Sequence, residues 1–185
     1  VDAAAAAQAE LADLTSFYPE SIVQYSEALL NWFTDFDWVV HGKNGSDAVS
    51  LATRVMRKAR RRPLIVMFES AYHGFATELA TRHEGVPEDA LAHTLRLPWN
   101  DVGALHQAFE AHGPQLAGVL INPMEQTSGG AVSPIDVAFA DALTELCTSR
   151  DVLLALDDVR HGFRLHERGS HHLMGISPDL ICLGK

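Results

Sequence analysis

Two apolar runs near the end of the sequence each stop on ionisable groups. Val152 to Val159 reads VLLALDDV and carries Asp157 and Asp158, while Asp179 to Lys185 reads DLICLGK and stops on Lys185. Runs of this length and composition are strands buried on both faces of a parallel sheet, and residues at the carboxyl ends of such strands face the crevice where ligands bind. An amine held near low-dielectric walls loses its proton more readily than one in water. The free amine then attacks carbonyl carbon, which is the chemistry of Schiff-base lysines. An anion and an amine leaving hydrophobic strands are thus candidates to meet in one site.

Such groups need a scaffold, and strand and helix alternate from Trp38 to Lys185. Trp38 to Val40 begins a short strand, and HGKNGSD, from His41 to Asp47, is a glycine-containing turn. A helix follows with Ala48, Leu51, Ala52, Val55 and Ala59 on one face, and the run RKARRR, Arg57 to Arg62, at its end complements the helix dipole. Gly45 in the turn and a helix amino terminus at Ser46 offer backbone donors to an anion. The spacing matches neither a Walker loop nor a dinucleotide fingerprint, so plain architecture competes with that reading. Leu64 to Phe68 is a second strand, and ESAYHGF at its carboxyl end puts Tyr72 and His73 on the crevice side. A core aromatic and a satisfied loop histidine are the competing readings there. Thr94 to Leu97 is a short strand, and Asn100 caps a helix carrying Val102, Leu105 and Phe109. GVLINPM, Gly118 to Met124, is the next strand, and QTSGG a turn. Ser133, Pro134 and Asp136 mark a helix start, with Phe139, Ala140, Leu143 and Cys147 on its inner face. Upstream, Val1 to Leu14 reads as an Ala-rich helix, Thr15 to Tyr18 as a loop, and Pro19 opens a helix with Ile22, Tyr25, Ser26, Leu29 and Phe33 on one face. This rhythm predicts one α/β domain over residues 1–185 with a largely parallel sheet.

The composition narrows the class of function. With 185 residues, 47% hydrophobic and 21% charged, the chain is long and apolar enough to bury a core. A formal charge of −10 argues against a nucleic-acid partner, because phosphate backbones select basic faces. No apolar run reaches the length of a membrane span and no secretory signal opens the sequence. The two cysteines, Cys147 and Cys182, fall inside apolar patterns and read as buried free thiols of a reducing compartment, the cytoplasm. A strand that ends on Lys185 suggests one part of a longer polypeptide.

Four stretches, KNGSDA with its helix, SAYHG, LDDVRHGFR and PDLICLGK, stand in one order with one set of roles. On them the chain resembles the class III aminotransferases, pyridoxal-phosphate enzymes of fold type I, and within these the branch of glutamate-1-semialdehyde aminomutase and related transaminases. Phe17 to Leu30 is similar to the family segment that precedes the phosphate turn. The resemblance implies a three-layer α/β/α cofactor domain, incomplete here because later segments and a small C-terminal domain are missing. It implies pyridoxal 5'-phosphate (PLP) as cofactor, a homodimer, and small amine and carbonyl substrates. Lys185 would bind the cofactor as a Schiff base and then carry protons. Asp157 would pair with the pyridine nitrogen and keep it protonated, and Val159 would pack against the ring. Gly45 and Ser46 would cradle the phosphate, and Tyr72 would stack on the ring's other face, with His73 and Asn122 completing the cofactor-binding set.

The sequence departs from the family at the strand reading INPM, where Glu-Pro is usual and Asn122 stands in place of the acid. Glu125 lies at an odd offset along the extended segment and points to the opposite face. An amide still hydrogen-bonds, but the local charge differs. Asp158 replaces the usual Glu with a shorter side chain of the same charge. Four rival functions follow from the same residues: an intramolecular amino shift by an aminomutase; racemisation or decarboxylation; a non-catalytic, partner-binding homologue; and a metal hydrolase using Asp157, Asp158, His161, His166, His171 and His172. The histidine spacing fits no helical pair or zinc knuckle, so no metal is expected.

Overall fold

The computed structural model describes residues 2–3, 5–6, 19–80, 85–126 and 132–185. Most of the Ala-rich opening, Thr15 to Tyr18 and most of QTSGG lie outside the described residues. Two compact units are present, residues 1–39 and 40–185. In the first, helix α1 spans Glu20–Trp32 behind Pro19. It buries no residue fully: Ile22, Ser26 and Leu29 are half-buried, Phe33 just beyond it is buried, and Tyr25 is exposed rather than inward-facing. The strand expected at Trp38 to Val40 does not form. Trp38 and Val40 are exposed and pair with no neighbour, and a strand without a partner has nowhere to send its backbone hydrogen bonds.

The apolar runs of the second unit do pair. Strands β1 (Leu64–Phe68), β2 (Thr94–Leu97), β3 (Leu116–Ile121), β4 (Leu153–Asp157) and β5 (Leu180–Cys182) form one sheet in the order β2-β1-β3-β4-β5, every pair parallel. Parallel neighbours need crossovers, and the helices cover both faces. Helix α2 (Gly45–Arg60) packs on one face, against Ile65, Met67, Leu120 and Ala155. After the single-turn α3 (Glu88–Leu91), helices α4 (Val102–His112) and α5 (Val137–Arg150) pack on the other, around Val66, Phe68, Val119, Ile121, Leu154 and Leu156. A last short helix, α6 (His171–Met174), precedes β5. No described helix is long and apolar enough to cross a membrane.

Local differences from the sequence reading have physical causes. The buried face of α2 is Val49, Ala52, Thr53 and Met56, rotated from the stripe through Ala48 and Ala59. Gly118 in mid-strand explains the rotation: a Cβ there would sit 2.1 Å from Met56 Sδ, so the missing side chain is a notch that Met56 fills. Helix α4 is capped by Asp101, whose Oδ1 accepts the Ala104 N–H at 2.8 Å, and not by Asn100. Asn100 instead ties down the next connection, donating to the Pro134 carbonyl and accepting the Asp136 N–H. Helix α5 therefore starts at Val137, later than Ser133 suggested, because Pro134 is held in a bridge with Met124. The basic run does more than meet its own helix dipole. Arg62 donates to the carbonyls of Leu116, Arg150 and Asp151, and Arg60 to that of Asp151, so arginines at and just beyond the end of α2 satisfy the open carbonyls that end α5.

Candidate active site

Strand order reverses between β1 and β3, which makes the carboxyl edge there the topological switch point where open α/β sheets bind ligands. The ESAYHGF loop leaves β1 on one side of that point, and Asn122 leaves β3 on the other. Asp157 ends β4, and Cys182, the β5 residue paired with it, brings the exit toward Lys185 alongside.

Asp157 is only 4% exposed. Its Oδ2 lies 2.8 Å from His73 Nδ1, and its Oδ1 accepts the Val159 N–H at 3.3 Å. With the carboxylate ionised, His73 donates from Nδ1. His73 is fully buried, and its Nε2 has no partner among the described residues. Asn122, also buried, donates from Nδ2 to the Asp157 carbonyl at 3.2 Å, and its Oδ1 is likewise unpartnered. Buried polar atoms are nearly always matched, so two unmatched atoms attached to the partners of one carboxylate mark a place for a ligand's or a water's polar groups.

A second cluster lies at the amino end of α2. Asn44 is the N-cap, accepting the Asp47 N–H at 3.1 Å, while Asp47 accepts the Lys43 N–H at 3.1 Å. That reciprocal cap fixes the first turn and leaves Gly45 and Ser46 at the positive end of a 16-residue helix. A Cβ on Gly45 would fall 2.5 Å from Val159 Cγ1, so glycine is what lets the helix end approach the exit of β4. Gly74 has φ +94, and a Cβ on it would fall 2.4 Å from Ser46 Oγ, which accepts the Phe75 N–H at 3.4 Å. The loop after β1, the α2 amino terminus and the exit of β4 are thereby packed together.

The remaining candidates divide. Tyr72 is not a core aromatic: it is 45% exposed and meets the exposed Phe75 edge-on at 6.2 Å. Lys185 is exposed, and its carbonyl accepts from Arg164 at 3.0 Å. Asp158 is fully used in structure, its two oxygens accepting the Ser170 hydroxyl at 2.6 Å and the Ser170 N–H at 2.8 Å. Burial lowers the pKa of His161, against the opposing pull of Asp158. Burial, with Asp157 adding to it, pushes the Cys182 thiol up to about 12. The rings of His166, His172 and His171 stack in turn, with centroids 4.8 and 4.2 Å apart. The sequence reading missed three residues: Asn44 as cap, His73 as the partner of Asp157, and Ser170 as the brace of Asp158. Only the first left a local signal, an Asn three residues before an acid at a helix start.

The architecture recurs in solved structures. The PLP internal aldimine form of the FumI protein from Sphingopyxis sp. MTA144 superposes with a TM-score of 0.93 at 33% identity, over 100% of this chain and 44% of that one. A glutamate-1-semialdehyde aminomutase from Pseudomonas aeruginosa PAO1 gives a TM-score of 0.85 at 26% identity, over 99% of this chain and 42% of that one. The fold is the α/β fold of the fold type I PLP aminotransferases. The class III aminotransferase family matches residues 1–185, and the chain belongs to that family. The aminopentol aminotransferase of Sphingopyxis macrogoltabida is 33% identical over 185 residues, 100% of this chain and 44% of that protein. The chain spans less than half the length of the relatives it matches.

Proposed function

We propose that the protein is a PLP-dependent aminotransferase, which moves an amino group from a primary amine or amino acid to a carbonyl compound. The observation that carries this reading is the buried Asp157 corner, where His73 Nε2 and Asn122 Oδ1 lack partners among the described residues, at the edge that also holds the glycine-opened end of α2. The residues fit PLP: helix N–H groups for a phosphate, a buried carboxylate for a ring nitrogen, an exposed aromatic, and a lysine beyond the adjacent strand. When bound, PLP supplies an electron sink for the substrate carbon.

The residues divide the work. Gly45 and Ser46 present backbone donors to the phosphate, aided by the helix dipole. Asp157 would pair with the ring nitrogen, and His73 orients that carboxylate through its 2.8 Å hydrogen bond. Val159 and Tyr72 would pack against the ring, and Asn122 would border it. Lys185 would hold the cofactor through its amine and would serve as the proton carrier at the substrate carbon. We further propose that residues 1–185 belong to one α/β cofactor domain, that the whole protein is a homodimer, and that it is cytoplasmic, in keeping with its buried free thiols. An aminomutase is the second reading, favoured by the likeness to a glutamate-1-semialdehyde aminomutase.

The test is the visible spectrum of the full-length protein with PLP, with and without amine donors. Wild type should bind PLP through a borohydride-reducible link. Lys185→Ala should lose that link and about 10²- to 10⁴-fold in activity. A wild type that never takes up PLP, or a Lys185 variant that keeps the link, sinks the assignment. Turnover that requires a separate amino acceptor distinguishes a transaminase from an aminomutase.

A further inference from the structure

We infer that Asn122 is a charge-setting residue: its amide leaves Asp157, among the described residues, the only carboxylate on its side of the buried corner and presents Oδ1 as acceptor to a proton donor of the bound cofactor or substrate. The inference rests on the PLP reading above and deepens it. Ile121 pairs with Leu156, so Asn122 and Asp157 stand next in register, and strand alternation sends both side chains to one face of the sheet. The bond from Asn122 Nδ2 to the Asp157 carbonyl settles the amide's orientation, because a flipped amide would press oxygen against oxygen. The acceptor half is therefore turned away from the main chain. It is buried in a residue 1% exposed, and it has no partner among the described residues.

A carboxylate, which the family resemblance leads one to expect here, behaves differently. Ionised, it has no hydrogen for the Asp157 carbonyl and adds a second negative charge beside Asp157. Two carboxylates in one low-dielectric corner share a proton and titrate as a pair. The groups facing the corner are His73 from the loop after β1, Asp157 from β4 and Cys182 from β5; Asp158 is buried on the other side of the β4 exit, held by Ser170, and His161 is within electrostatic reach of both carboxylates. Cys182 stays a thiol, so the amide at Asn122 leaves the negative charge on Asp157 alone. The protonated ring nitrogen then meets one undivided partner.

The experiment uses full-length protein with PLP, comparing wild type, Asn122→Leu and Asn122→Asp by cofactor dissociation constant and by visible spectrum against pH. Asn122→Leu removes donor and acceptor at similar volume and should weaken cofactor retention about tenfold. Asn122→Asp should hold PLP like wild type near pH 5, where a shared proton restores the donor, and progressively less toward pH 8. Its spectral midpoint should move up by about one unit, since an added anion stabilises cationic acids. If Asn122→Leu fails to fold, the aspartate variant decides alone, with its pH 5 state as the folded reference. Unchanged cofactor affinity, or lowered thermal stability with an unmoved midpoint, overturns the inference and leaves the PLP reading intact. A wild type that never binds PLP overturns both.

Discussion

Asp157 and Asp158 are neighbours in sequence and both buried, yet their side chains leave the backbone on opposite sides and meet different fates. Asp158 is saturated by Ser170 and braces the loop that follows β4. Asp157 is held by His73 and one main-chain N–H, with unmatched polar atoms on its partners, and is the one free to serve a ligand. Replacing His73 with Leu removes a buried charge-assisted bond and should cost about 1.5–3 kcal/mol in urea unfolding. It should also lower kcat more than it raises KM, because His73 acts through Asp157. The place of Asp157 was legible in the sequence because it ends an apolar run, and a strand end has only one place to face; Lys185 lies three residues beyond the end of β5 and is exposed. His73 as the partner of Asp157 was not legible, since the two are 84 residues apart and only the sheet order brings them together.

At the scale of elements, the approach of α2 to the exit of β4 depends on what is absent at Gly45. Gly45→Ala would drive a methyl group into Val159 and should destabilise by about 1–3 kcal/mol, as overpacking does. If that contact is the cause, Val159→Ala in the same chain should recover much of the loss, which a double-mutant cycle by thermal unfolding measures. The strands β1 and β4 were readable because apolar runs of that length have few alternatives, whereas the half-buried TLRL of β2 carries a weaker signal. Helix orientation and helix starts were less so. The inward face of α2 answers to a notch at Gly118 on another element, and the start of α5 answers to Asn100, which lies 36 residues from Asp136. Composition within a helix carries neither fact.

For the molecule as a whole, the two free thiols give a reading of the folded state. Burial pushes both Cys147 and Cys182 up to about 12, from 9.0 for an exposed thiol. Each therefore contributes stability that is complete below about pH 9 and is lost as pH rises toward about 12, because only the unfolded chain ionises in that window. Folded protein should resist alkylation by iodoacetamide at pH 8, and both thiols should react on adding denaturant; rapid labelling of the native protein would contradict their burial. The all-parallel order of the sheet has a further consequence, for time rather than energy. Strands successive in sequence are joined by crossovers, β1 meets β3 only after the chain has passed through β2, and His73 finds Asp157 only across 84 residues, so loop-closure entropy must be met before the contact gives anything back. A corner closed by contacts so distant in sequence is expected to form after the local helices, so the proposed cofactor site should appear late in refolding, which stopped-flow refolding followed by PLP uptake would check.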